Sequence, residues 1–347
     1  MIPLSRIDST NFAVIPGKAN KINSERFHYR MFDFCLESDI ELPGLAVTGA
    51  GSADLSIMLR AAGLVPQAGF EWFHEWRDRD GELAICAARR GSEYLLRFPE
   101  MADFTFQSST KVIGVFPQPG CEPHTLNHLL LDQVIPRVLN QLGRLVLHAS
   151  CIELAPGKAV AFLGNTGQGK STLASSFWQA GFALITDDSL LLERINQGYC
   201  CTPGYPSLRL WPDAADSLVP AGQAFHSVAQ YTDKKQILIG PQTNRATPVA
   251  RQLVAFFVLK EGSRTDELCE VEVTSARGAD TAIEIIESMF TLDVDCQATI
   301  RRNFDLAGQV LGSDLPIFRL EYVRRFDQLP GVRERILDAV RDHAANR

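Results

Sequence analysis

Apolar and polar positions alternate with period two in several stretches of the first third of the chain, a pattern that predicts strands. In "FEWFHEWRD", Phe70, Trp72, His74 and Trp76 alternate with Glu71, Phe73, Glu75 and Arg77. "GELAICAARRGSEYLLRFP" (81–99) predicts two strands around an Arg-Arg-Gly-Ser turn. After "PQPGCEP" (117–123) the period changes. Leu126, Leu129, Leu130, Val134, Val138 and Leu142 recur at helical spacing, predicting a helix over 124–142 with a kink at Pro136. Further on, "RQLVAFFVLKEG" (251–262) predicts a buried strand, "GADTAIEIIESMF" (278–290) a helix and "PIFRLEYV" (316–323) a strand. A last helix from about residue 331 places Val332, Ile336, Leu337 and Val340 on one face. The expected organisation is a tail at 1–22, a small β-rich accessory domain over 23–118 and an α/β domain over 119–347.

Composition adds limits. The 347 residues are 46% hydrophobic and 22% charged, enough apolar content for a sizeable core. A net charge of −7 argues against a nucleic-acid surface or an anionic membrane as partner. No apolar run approaches the roughly 20 residues that span a bilayer, and "MIPLSRIDST" has no apolar stretch of the signal-peptide kind. Eight cysteines without a CxxC spacing read as small buried hydrophobes. A cytoplasmic protein is expected, with homo-oligomerisation left open.

The strongest local signal is Gly164-Asn165-Thr166-Gly167-Gln168-Gly169-Lys170-Ser171, followed by Thr172, which fits G-x-x-x-x-G-K-[ST] without a gap. "KAVAFLG" before it predicts a strand, and "STLASSFWQAG" after it a helix closed by Gly181. In that context the glycines let backbone N–H groups converge on phosphates at the positive end of the helix. Lys170 is then expected to neutralise the terminal phosphates of a nucleotide and Ser171 to hold Mg²⁺.

Two geometric expectations follow. The helix is short and "FALIT" returns as a strand, so a crossover brings Asp187-Asp188 out on the same edge as the phosphate loop. "LVLHASCIEL" precedes the loop strand through Ala155-Pro156-Gly157-Lys158. A hairpin there puts residue 149 opposite 164 and His148 beside the start of the loop. Of the two acids, one can hold the metal while the other accepts the proton of an incoming hydroxyl. The alternative makes Asp187 a metal ligand and Asp188 a helix N-cap, and leaves the protein without an acceptor.

"HASCIEL…GKAVAFLGNTGQGKSTL…GFALITDD" resembles the catalytic domain of HPr kinase/phosphorylase, a bacterial serine kinase related in fold to phosphoenolpyruvate carboxykinase. The likeness covers about 145–190. It implies an α/β P-loop kinase domain using ATP and Mg²⁺. Asp187 would be the base towards an acceptor serine, His148 would lie nearby, and Asp188 would support the metal. Downstream, "CTPGYPSLRLWPDAADSL" stands where that family has E-I-R-G-L-G. "PGYPSLRLWPD" and "ESDIELPGL" (37–45) resemble the HPr-kinase-like proteins of lasso-peptide and other modified-peptide biosynthesis, which implies a peptide substrate.

Four further candidates remain. Arg209, in "PSLRLWP", is placed to stabilise charge on a transferring phosphoryl group or to sit on the surface. Lys234-Lys235 contact phosphates or an acidic substrate, or occupy a solvated turn. Cys121, His124 and His128 offer a metal set without a clear fourth ligand, against an ordinary helix start. Cys200-Cys201 are a redox pair or two residues of a buried strand. The expected function is transfer of the ATP γ-phosphoryl group to a serine of a peptide or small protein. Its rivals are a nucleotide-binding regulatory module with slow NTPase activity and a small-molecule alcohol kinase.

Overall fold

The computed structural model describes residues 26–346 apart from 79, 206, 221, 240–248 and 261–270, so the expected tail at 1–22 lies outside the described residues. Strands β1 (Phe27–Met31), β2 (Phe34–Ser38), β3 (Ala46–Val47), β4 (Leu55–Leu59), β5 (Glu71–Arg77), β6 (Leu83–Arg90), β7 (Glu93–Phe98), β8 (Ala102–Gln107) and β9 (Val112–Pro117) form one sheet, ordered β3-β1-β2-β4-β9-β8-β7-β6-β5. The turn between β6 and β7 contracts to two residues. Arg90 pairs with Glu93, and Gly91 takes φ +60°, which a tight hairpin requires. Ala87, Leu96, Phe104 and Val115 lie side by side across β6–β9. All four are buried in one core with Leu130, Val134 and Val138 of the helical segment that follows. The apolar faces predicted separately are therefore each other's partners.

That segment is α1 (Pro123–His128), one π turn (Leu129–Val134) and α2 (Ile135–Gln141). The kink predicted at Pro136 has a definite form here. Pro136 has no N–H to offer the carbonyl of Asp132, and the backbone widens just before it, with Ile135 N–H reaching back to Leu130 O.

The rest is mixed α/β. Its elements are β10 (Leu145–His148), β11 (Ser150–Ala155), β12 (Lys158–Leu163), α3 (Lys170–Gln179), β13 (Ala183–Thr186), β14 (Ser189–Ile195), β15 (Gly198–Thr202), β16 (Ser207–Leu210) and α4 (Pro212–Leu218). They continue as β17 (His226–Ala229), β18 (Thr232–Leu238), β19 (Arg251–Leu259), β20 (Glu272–Ser275), α5 (Ala279–Glu287), α6 (Gln297–Leu311), β21 (Ile317–Glu321) and α7 (Leu329–Ala345). A second sheet runs β10-β14-β15-β19-β12-β11-β13, with β21 and β20 continuing from β19, and β16-β18-β17 form a third. β10 passes into β11 through Ala149, and β13 into β14 through Asp187-Asp188. The two ends of the second sheet are thus halves of one long antiparallel pair, and the sheet closes on itself. No helix among the described residues is long and apolar enough to cross a membrane.

β13 runs parallel to β12 in the same sheet, as expected, with β11 between them and antiparallel to both. One sequence expectation needs correction. The β11–β12 hairpin has nearly the predicted register, Ser150 opposite Phe162 and Ala155 opposite Lys158. However, "LVLHASCIEL" does not stay with β12 as far as His148. It bends at Ala149, and His148 lies opposite Ser189 of β14 instead.

Candidate active site

The phosphate-loop sequence forms the connection between β12 and α3, with Lys170 opening the helix. Gly167 and Gly169 take φ +81° and +87°, where L side chains are strained. Asn165 N–H donates to Gln168 Oε1 (2.7 Å) and Gln168 N–H to Asn165 O (3.1 Å), which closes the loop from within. Lys170 is buried, and its ammonium donates to Gly164 O (2.7 Å) and Asn165 O (3.3 Å). Burial pushes its pKa down to about 8, Asp188 and Asp187 partly oppose this, and Lys234 adds to it. Ser171 and Thr172 are half-buried in the first turn of α3.

The two acids occupy the bend between β13 and β14. Consecutive strand residues face opposite sides; the bend at 187–188 releases that rule, and one residue, Arg209 of β16, touches both carboxylates. Its backbone N–H donates to Asp187 Oδ2 (2.9 Å), and its Nη1 lies 3.3 Å from Asp188 Oδ2. Asp187 is 2% exposed and also accepts the Ser150 hydroxyl on Oδ1 (2.8 Å). Burial raises its pKa to about 6, against the lowering effect of Arg209. Asp188 is more open, its side chain 19% exposed. Burial raises its pKa too, but His148, Arg209 and His128 outweigh this and hold it well below the usual carboxylate range. His148 Nδ1 lies 3.0 Å from Asp188 Oδ1. The histidine expected beside the loop start thus reaches the site by pairing with the strand that carries the acids. It lines a cavity of about 250 Å³ together with Gly164, Asn165, Thr166, Gln168 and the α5 residue Glu284.

Sequence reasoning missed three members of this site. Asp132, in the π turn, is buried and binds Arg209 Nη2 (2.7 Å) and His128 Nδ1 (2.8 Å). Its signal was present as a lone acid within the apolar run "LLLDQVIP", four residues after a histidine. Asp132, Arg209, Asp188 and His148 therefore form one chain of contacts from the helical segment to β10. Ser150, which donates to Asp187, and Arg324, whose guanidinium donates to Gln168 O of the phosphate loop, carry no comparable mark in the sequence. The metal set considered at Cys121, His124 and His128 takes another form: His128 pairs with Asp132, and His124 Nδ1 with Glu122 (3.3 Å).

No protein-family model matches the chain, and no curated protein matches it. Among solved structures it is similar to the Hpr(Ser) kinase/phosphatase from Coxiella burnetii, at 11% identity over 58% of this chain and 97% of that one, with a TM-score of 0.29. A score this low does not establish a common fold, so function has to be read from the residues of the site.

Two short phrases, 37–45 and 203–213, prove to be packing partners. A Cβ on Gly44 would lie 2.7 Å from the Tyr205 ring, and one on Gly204 2.4 Å from the Phe32 ring. Tyr205 in turn lies under the Arg209 guanidinium, at 5.6 Å. The first sheet therefore braces the loop that delivers Arg209.

Lys234 and Lys235 are not in a turn, because both lie within β18. Arg209 is opposite Gln236, so Lys234 falls on Arg209's face, over the exposed Trp211 ring (5.3 Å). Lys235 points the other way, to Asp216 (3.1 Å). If the loop holds nucleotide phosphates as its sequence predicts, Lys234→Met should weaken that binding by about 1 kcal/mol, roughly fivefold, through its charge near Lys170. Lys235→Met should leave binding unchanged; calorimetric titration separates the two. The adjacent cysteines also diverge: Cys201 is buried with its Sγ 3.8 Å from that of Cys151, and Cys200 is half-buried.

Proposed function

We propose that this chain is an ATP-dependent kinase that transfers the γ-phosphoryl group to a serine hydroxyl of a peptide or small protein. The observation that carries the proposal is that Asp187 and Asp188, two carboxylates in different environments, both act electrostatically on the buried lysine of a phosphate loop. The resemblance of 145–190 to HPr kinase/phosphorylase supports the same reading.

ATP would take its phosphates against the backbone of residues 164–172, with the Lys170 ammonium moving from the loop carbonyls to the terminal phosphates. Mg²⁺ suits the residues present, since it keeps water and phosphate oxygens and needs only one or two from the protein. The half-buried Ser171 and the partly open Asp188 are those two. When bound, the ion would neutralise phosphate charge. Asp187, with its raised pKa, would accept the serine proton as the serine oxygen bonds to the γ-phosphorus and the bond to the β–γ bridging oxygen breaks, releasing ADP. Arg209 would stabilise charge on the group in transfer, and His148 would hold Asp188 ionised. Residues 23–118 would form an accessory domain that shapes the acceptor side.

The test uses γ-labelled ATP, Mg²⁺ and host extract. Label on a peptide or protein, with the modified serine found by mass spectrometry, is the expected result. Label released only as free phosphate would favour the regulatory NTPase instead, and label on a small alcohol the small-molecule kinase.

A further inference from the structure

Arg324 stands three residues beyond β21, on the outer side of the phosphate loop, and nothing in the reaction above uses it. Its Nη1 donates to Gln168 O and to the Tyr322 hydroxyl (3.2 Å), and its Nη2 donates to Lys260 O at the end of β19. The guanidinium lies over the Tyr322 ring at 4.6 Å, and that ring is buried. Arg324 itself is exposed, and no carboxylate among the described residues lies within ion-pair distance of it. Gly169 leaves room for it: a Cβ there would meet Arg324 Nη1 at 2.6 Å.

We infer that Arg324 is a positioning residue for nucleotide phosphate, acting through the Gln168–Gly169 peptide of the loop. A peptide unit is planar and trans, so its C=O and N–H point in opposite directions. An arginine that holds the Gln168 carbonyl outward aims the Gly169 N–H inward, to the side where phosphate is expected. The same arginine ties that carbonyl to Lys260 O, fixing the loop against β19. A donor fixed before the anion arrives needs no reorganisation when it binds. The four intervening parts (β21, the stacked tyrosine, the glycine without a side chain and the strand end) all converge on one peptide. The inference rests on the nucleotide-binding part of the proposed function and does not depend on the acceptor.

The test compares wild type with Arg324→Ala and Arg324→Lys. Hydrogen exchange of the ligand-free protein reads the loop directly: Arg324→Ala should speed exchange across 164–170 and leave α7 unchanged. Affinities for ATP, ADP and adenosine then read its consequence. Loss of one charge-assisted phosphate contact should weaken ATP and ADP about tenfold and leave adenosine unaffected. Lysine should restore part of the loss, because one ammonium can hold the Gln168 carbonyl but not both carbonyls in a fork. A merely structural arginine would instead lower Tm and weaken all three ligands alike. Wild-type exchange together with wild-type ATP affinity in Arg324→Ala would overturn the inference and leave the kinase reading intact. Normal phosphate-dependent binding without transfer to any hydroxyl would sink the kinase reading and leave Arg324's role standing.

Discussion

Asp187→Asn is expected to reduce phosphoryl transfer by about 10²–10⁴-fold, the range for a lost general base, while leaving ATP affinity near that of wild type. Asparagine is isosteric and keeps both neighbours: its oxygen can accept the Arg209 N–H and its amide can donate to Ser150 Oγ, so the bend should survive. Lys170→Ala is expected to cost about 10²–10³-fold as well, but with weaker ATP binding, because its ammonium is the buried cation of the loop. The pair of variants therefore separates chemistry from binding. The wild-type kcat/KM should also fall on the acid side. Asp187 must be ionised to accept a proton and its pKa is raised to about 6, so activity is full above that pH and lost as pH drops through it. A γ-label assay of the three proteins across pH 5–8 checks all of this. Free phosphate released by Asp187→Asn as fast as by wild type, with no labelled acceptor in either, would remove the need for a base and with it the kinase.

Arg209→Ala should be the most destabilising change in the site. Arg209 is 6% exposed, and burial works against its charge. Asp132 and Asp188 outweigh that effect and keep it firmly protonated. Removing it leaves Asp132, with 2% side-chain exposure, paired with His128 alone among the described residues, and takes a cation from Asp188. Breaking a buried pair by deleting one partner costs about 3–5 kcal/mol, and the π turn and the Tyr205 loop should loosen with it. Asp132→Asn, which keeps a hydrogen bond to the guanidinium, should cost less. The double variant Asp132→Asn/Arg209→Ala should recover part of the single loss, because the stranded carboxylate is gone. Urea unfolding of the three variants measures this, and equal midpoints for wild type and Arg209→Ala would mean that water already screens the pair.

Much of the local architecture was determined by the sequence alone. Period two and period 3.6 mark strands and helices because burial on one face selects them, so 251–259, 279–287 and 317–321 could be read directly. The phosphate loop was legible because its chemistry is contiguous: three glycines, a lysine and a serine act within one turn of backbone. The nearness of Asp187-Asp188 to that loop also followed, since a ten-residue helix leaves the returning strand only one edge on which to end.

What only the tertiary structure decided is everything that depends on a bend or on a distant segment. The predicted hairpin register held, yet His148 left it at Ala149, because the strand has hydrogen bonds to offer on both sides and β14 takes them there. Asp132, Arg209 and Arg324 come from a helix, a three-stranded sheet and the segment after the last strand, and no periodicity links them. Asp132 and Arg209 meet because a buried charge needs an opposite charge, and Arg324 reaches the phosphate loop because a loop carbonyl needs a donor, whatever the separation in sequence. Local pattern therefore reports which backbone forms, and the pairing of charges across the closed sheet decides which of its side chains become a site.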